Sequence, residues 1–238
     1  MTQYLQIMMI NTFILSFALL FTDFTAAIKD YDLTPLWRAE KIQEEGNGDL
    51  LPFPEPLGYI GDNYQRFFIH YITVTKSKED PYRYIVYGKT KVKNNICNFT
   101  GTITVRKASI QRSKEFPGYR EGLLTCDVLF YEDSTQAGSG VIKGQLLSGF
   151  TLDQKGKFQY DALMAIADHF DNNQCTATWT GYKTGKSKKC NWGDYRMPDS
   201  RGLDNGVGSV VIDEKYRKNG WEGFMNMTGG DEETDWWK

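Results

Sequence analysis

Between Tyr64 and Tyr195 the chain repeats one pattern, in which runs of alternating residues are separated by turn-forming clusters. A period of two sends successive side chains to opposite faces of a strand. The run from Phe99 to Arg106 is the cleanest case. Phe99, Ile103 and Val105 share one face with Gly101, while Thr100, Thr102, Thr104 and Arg106 take the other. Cys175, Ala177 and Trp179 alternate in the same way with Thr176, Thr178 and Thr180. Strands are expected near 64–75, 82–93, 97–111, 122–132, 139–152, 157–164, 174–183 and 188–195. Aromatic residues make up 14% of the chain, and they suit pleated, half-buried surfaces.

Strands in sequential order with short connections predict a mainly β fold, an antiparallel up-and-down meander of seven or eight strands. Closure into a barrel removes exposed edges, so a barrel-like domain over 64–197 is the expectation. A two-sheet sandwich is the alternative. Asn94-Asn95, Lys155-Gly156 and Thr184-Gly185 read as hairpin turns. Asp161 to Phe170 is ambiguous, because Leu163, Ile166, Ala167 and Phe170 also fit the stripe of a short helix.

The flanks read differently. Met8 to Phe21 is an uncharged apolar run, followed by the small residues Thr25-Ala26-Ala27. That order is the pattern of a signal peptide over 1–27 with cleavage near Ala27, although no Lys or Arg precedes the run. It places the protein outside the cytoplasm, in the periplasm or beyond. A retained anchor is the competing reading, against which Asn11, Thr12 and Ser16 interrupt the run. No later segment is long and apolar enough to span a bilayer. Residues 28–63 form an expected arm, with a short helix starting at Thr34-Pro35 and ending near Gly46, its apolar side made of Leu36, Trp37 and Ile42. Pro52, Pro54 and Pro56 then impose an extended spacer. Residues 198–238, rich in Gly, Asp and Asn, lose the alternation and read as a loose extension ending in Trp236-Trp237.

Charge gives no argument for nucleic acid or an anionic membrane surface, since 28 basic residues face 30 acidic ones. Four cysteines in an exported chain invite disulfides. The strand reading opposes the nearest pairing, because a hairpin turning at Gly185-Lys186 sets Cys190 opposite Gly181, far from Cys175. Cys97, Cys126 and Cys175 fall in phase with apolar neighbours, as buried thiols would.

No catalytic pattern survives inspection. Gly181-Tyr182-Lys183-Thr184-Gly185-Lys186-Ser187 mimics a phosphate-binding loop, but it is one residue short and leads into a strand rather than a helix. The cluster Asp168 to Asn173 around His169 offers metal or acid–base donors, and a polar turn explains it better. Glu132, Asp133, Asp153 and Asp161 are available for glycan chemistry with nothing to fix their separation. No catalytic residue, metal ligand or cofactor is assigned. The coherent candidates are aromatic. On the same hairpin register Trp179 faces Trp192, and with Tyr182 the pair is expected to line a ligand cavity, unless the indoles simply plug the core.

The stretch Thr178 to Pro198, together with Ile60 to Arg66 and Asp127 to Asp133, resembles a group of uncharacterised exported proteins from gut-dwelling Bacteroidota. The resemblance implies a bacterial envelope setting and no particular activity. A looser likeness to lipocalin- and avidin-type barrels rests on the strand pattern alone. The resulting expectation is an exported barrel-like module that binds a small apolar molecule, a sugar or an envelope protein without chemistry. An envelope enzyme acting on glycans through carboxylates and a structural envelope module are the alternatives.

Overall fold

Alternation becomes sheet along most of the chain. The computed structural model describes residues 22–44, 49–226 and 235–238. The apolar run Met8–Phe21 and the expected helix stop at Gly46 lie outside the described residues. The strands are β1 (Thr22–Asp23), β2 (Lys41–Gln43), β3 (Leu50–Pro52), β4 (Leu57–Ile60), β5 (Gln65–Lys76) and β6 (Arg83–Val92). They continue as β7 (Asn95–Arg112), β8 (Arg120–Glu132), β9 (Gly140–Leu152), β10 (Phe158–Tyr160), β11 (Asn172–Gly181) and β12 (Ser187–Asp194).

Eight of these strands form a closed antiparallel ring in chain order, from β4 through β9 to β11 and β12, with β12 pairing back onto β4. The meander is therefore a barrel-like ring rather than two separate sheets. One expected strand is barely present: 157–164 supplies only β10, a three-residue addition to the edge of β9. The strand that completes the ring comes instead from the expected arm. β4 is short and lies between Pro56 and Gly61, so it carries too few alternations to be read from pattern alone. The segment 161–170 forms successive turns and not a helix, which leaves Ile166 exposed.

The ring is irregular at β4. β4 meets β5 only through Tyr59↔Arg66 and Ile60↔Gln65, and beyond that point β5 runs on without it. The Arg66 guanidinium closes the divergence by donating to the carbonyls of Gly58 (3.1 Å) and Phe67 (2.6 Å). The arm fills the rest of the gap. A 3-10 turn at Thr34–Leu36 replaces the expected helix, with Pro35 at its start, and Ile42 belongs to β2. Ile28, Leu33, Leu36 and Trp37 are buried in the same core as the ring's inward residues. The first part of the arm is thus a plug. Thr22–Asp30 packs with it: β1 adds to β7, and Phe24 donates its N–H to the Ala108 carbonyl at 2.9 Å.

Inside the ring, aromatic side chains meet at the centre. Phe99 stacks on Phe130 at 4.8 Å, and both Phe130 and Phe67 pack against Trp192 at just over 6 Å. Each fully buried ring of this kind contributes roughly 1.5–3 kcal/mol. A second core sits outside the ring. The extension folds back over β4 and β5, burying Met197, Leu203, Ile212 and Trp221 around Tyr59. The Trp221 indole donates to the Tyr64 carbonyl at 2.7 Å, and Arg66 lies over the Trp221 ring. A 3-10 turn at Glu214–Asn219, capped by the Asp213 carboxylate and stopped by Gly220, precedes a one-turn helix, α1 (Glu222–Met225). No described helix is long and apolar enough to cross a membrane.

Candidate functional site

An up-and-down ring sends alternate connections to the same end. The β4–β5, β6–β7, β8–β9 and β11–β12 turns therefore gather at one mouth, and the arm closes the other. At the open mouth lies a cavity of 550 Å³. Its floor is apolar, made by Ile60, Phe67, Val92 and Cys97, and Trp179 forms one wall. Lys93 and Lys188 stand on the rim, and the Lys188 ammonium lies 6.0 Å from the Trp179 ring. Neither lysine forms an ion pair with a described residue.

Glu132 anchors that wall. It ends β8 on the inward face, in phase with Phe130, Val128 and Cys126. A carboxylate in such a place needs donors. One oxygen accepts the Thr90 hydroxyl at 2.5 Å, and the other accepts the Gly140 N–H and the Trp179 indole N–H, both at 2.8 Å. Glu132 thereby fixes the indole against the mouth. Its oxygens are committed to three donors, which suits an orienting role and leaves it poorly placed to take a proton from a substrate. Burial, and after it the Glu132 charge, pushes the Cys97 thiol upward, so Cys97 is an inert part of the floor. Tyr182 donates its hydroxyl to the Glu132 carbonyl at 3.2 Å and stays on the exposed edge.

The expected residues are therefore divided. Trp179 and Tyr182 meet at Glu132. Trp192 does not join them, because β11 pairs with β12 as Trp179↔Lys188 and Cys175↔Trp192. The hairpin turns earlier than expected: Gly181 accepts from Gly185 at 2.9 Å, with Gly185 in the left-handed region at φ 62. The pairing shifts by four residues, which preserves the inward phase and separates the tryptophans. The same shift sets Cys190 opposite Ala177 rather than Gly181. All four cysteines are buried free thiols. The phosphate-loop mimic is this hairpin turn. His169 sits in a turn at φ 67, with its N–H donating to the Gly208 carbonyl. Among the described residues no group of His, Cys, Asp and Glu is arranged to hold a metal ion.

Trp192 belongs to the opposite, arm-covered end. There a second hollow of 370 Å³ lies where β5 and β12 part, under the arm. Trp192 donates its indole N–H to the Tyr71 hydroxyl at 3.2 Å. Behind it runs a buried polar chain. The Trp37 indole donates to Ser148 Oγ (2.9 Å), and Ser148 donates to Asn173 Oδ1 (2.8 Å). Asn173 Nδ2 donates to Asp194 Oδ2 (2.7 Å), which also accepts the Tyr160 hydroxyl (3.0 Å). Burial pushes the Asp194 carboxyl up to about 8, against the two hydrogen bonds that favour its charged form. Toward solvent, Glu55 accepts from His70 Nδ1 at 2.8 Å.

No protein-family model matches this chain, and neither a curated protein nor a solved structure does.

Proposed function

We propose that the protein is an exported binding module that holds a small organic anion at its open mouth, with an apolar or ring-shaped body against Trp179 and the charged group between Lys93 and Lys188. The observation that carries this reading is the Trp179 indole, pinned by Glu132 at the wall of a 550 Å³ cavity with an apolar floor and a cationic rim. A cavity of this size, with an apolar floor and polar groups converging above it, suits a small ligand. A fixed indole offers a ring face without losing side-chain freedom on binding. The reading assigns no chemistry to the site. Export rests on the apolar run Met8–Phe21 and the small residues that follow it.

The test is a fluorescence titration with matched pairs: indole-3-acetate and indole-3-acetamide, decanoate and decanol. The acids are expected to quench Trp179 and to bind at least tenfold more tightly than their neutral partners. Lys188→Gln weakens only the acids, and Trp179→Ala removes the signal. Equal affinity for acid and neutral partner sinks the anionic assignment. No binding by any of the four, together with native mass spectrometry of the protein from its own envelope showing no retained ligand, sinks the reading.

A further inference from the structure

Three donors on residues that line the 370 Å³ hollow have no acceptor among the described residues. The Tyr71 hydroxyl accepts from Trp192 but gives its own hydrogen to none of them. Asp194 receives its hydrogen bonds from Asn173 and Tyr160 on one oxygen, Oδ2. With its carboxyl pushed up to about 8, Asp194 is neutral near pH 7, and its proton belongs on the other oxygen, Oδ1. The third donor is the Arg38 Nε–H, buried without a partner. Tyr71 is 8% exposed and Asp194 1%, so both are set deep. They also lie near enough to each other for the Asp194 charge to act on the Tyr71 hydroxyl. Buried polar groups are hydrogen-bonded as a rule, and three exceptions on one cavity call for a reason.

Much of the remaining lining is aromatic. Trp37, Phe53 and Trp192 contribute to it, and Trp237 closes one side with its ring stacked on His70, centroids 3.8 Å apart and planes 6° from parallel. The N–H groups of the two buried indoles are already committed, Trp37 to Ser148 and Trp192 to Tyr71. What these indoles add to the hollow is therefore apolar ring. Glu40 and Glu55 mark the solvent side, where Glu55 is half exposed and bonded to His70 at 2.8 Å. Two carboxylates there oppose the entry of another anion.

We propose that this hollow binds an uncharged carbonyl compound with a ring-shaped body, its oxygen taking the hydrogens of Tyr71 and Asp194 and its ring lying among Trp37, Phe53 and Trp192. Arg38 supplies a donor for a further oxygen. The site lies at the opposite end of the ring from Trp179 and does not depend on the ligand reading there. Its pH dependence is set by Asp194. The titratable groups that act on Asp194 or are acted on by it are Glu55 and the hydroxyls of Tyr71, Tyr160 and Tyr195, which burial holds above their ordinary value. Arg38, Glu40 and His70 share the hollow.

The chain has two histidines, so the His70 ring signals are readily followed by proton magnetic resonance. Acetophenone, benzylamine and benzoate carry one phenyl ring with a neutral acceptor, an ammonium and a carboxylate. At pH 6, acetophenone is expected to shift the His70 signals and to bind at least tenfold more tightly than either ion. Its affinity is expected to fall about tenfold from pH 6 to pH 9, as Asp194 loses the proton it donates. Asp194→Asn must turn its amide oxygen to Asn173 and Tyr160, which leaves its amide hydrogens for the ligand. That variant is expected to keep the affinity and lose the pH dependence. Tyr71→Phe keeps the ring and is expected to weaken acetophenone about fivefold. Unmoved His70 signals in saturated acetophenone overturn the site. Equal or tighter binding of benzylamine or benzoate overturns the ligand class. A pH dependence that survives in Asp194→Asn overturns the role of Asp194, and full affinity in Tyr71→Phe overturns that of Tyr71.

Discussion

Asn173 gives one amide hydrogen to Asp194 Oδ2 at 2.7 Å and the other to the Leu36 carbonyl at 2.8 Å. A single side chain on β11 thus ties the last ring strand to the arm that plugs the ring. Asn173 adopts φ 47, a left-handed conformation that asparagine tolerates better than most residues. The conformation falls in the irregular pairing of β11 with β12 between Asn172 and Cys175, where one strand carries extra length. The bulge therefore aims the amide inward.

The pH dependence of stability follows from Asp194. Its carboxyl is held up to about 8 in the folded protein and titrates near the ordinary carboxylate value when unfolded. Between those values the folded chain carries a proton that the unfolded chain has released. This contribution to stability is complete below the ordinary value and is lost as pH rises toward about 8. Thermal melts from pH 5 to 8 are expected to fall steadily in the natural protein and to flatten in Asp194→Asn. Parallel curves for the two proteins would remove Asp194 as the cause.

Ser148 is the other joint between arm and ring. Its hydroxyl accepts from Trp37 and donates to Asn173, and it is fully buried. Ser148→Ala leaves the indole N–H and an amide oxygen without their buried partner. The expected loss is about 1–3 kcal/mol, read from urea unfolding with an unchanged slope. Ser148→Thr retains the hydroxyl and is expected to lose less, provided that its added methyl is accommodated.

The long strands were legible because one of their faces is buried, so alternation is written into residues such as Phe99, Ile103 and Val105. The same alternation continues to 108 and 110 only after a bulge at Arg106 resets the phase. What was not legible depends on tertiary contact. β4 has four residues, and its partners are β12 and β5, one of them far away in sequence. Met197, Leu203, Ile212 and Trp221 are too widely spaced to form a period, and they are buried only because Tyr59 faces outward to meet them. The separation of Trp179 from Trp192 turned on where one hairpin bends. Glu132 carried a readable signal: an acid in phase with the inward residues of a strand calls for buried donors.

The cysteines give a chemical test of the packing. Cys126, Cys175 and Cys190 are fully buried on the inward faces of β8, β11 and β12, and burial pushes their thiols upward. Thiolate is the reactive form, so all four thiols are expected to resist maleimide in the folded protein. Denaturation without reductant is expected to add four labels by mass. Two labels or none would establish a disulfide instead.

Gly101 marks a place where the ring admits no side chain. A Cβ there would lie 2.1 Å from the Leu129 carbonyl oxygen and 2.7 Å from the Phe130 Cα, both backbone atoms of the paired strand β8. Backbone cannot swing aside as a side chain end does. Gly101→Ala is expected to cost about 3 kcal/mol, the upper part of the range for overpacking, and to lower the calorimetric melting temperature. An alanine variant as stable as the natural protein would show that β7 and β8 lie farther apart here.

The wall of the open mouth is best tested by a double-mutant cycle on Glu132 and Trp179. Trp179→Phe removes one of three donors to the carboxylate and is expected to cost about 1 kcal/mol. Glu132→Gln keeps the shape and can turn its amide oxygen to the Gly140 and Trp179 N–H groups and its amide nitrogen to the Thr90 hydroxyl, which then accepts, so the contacts remain but lose the strengthening of the carboxylate charge, for about 1–3 kcal/mol. The double variant is expected to cost less than the sum, because the charge-strengthened bond between the two side chains is lost only once. The coupling energy from chemical denaturation measures how firmly Glu132 holds the indole. Additive costs would mean that Trp179 is held by packing alone, and the fixed ring face offered to a ligand would then have another origin.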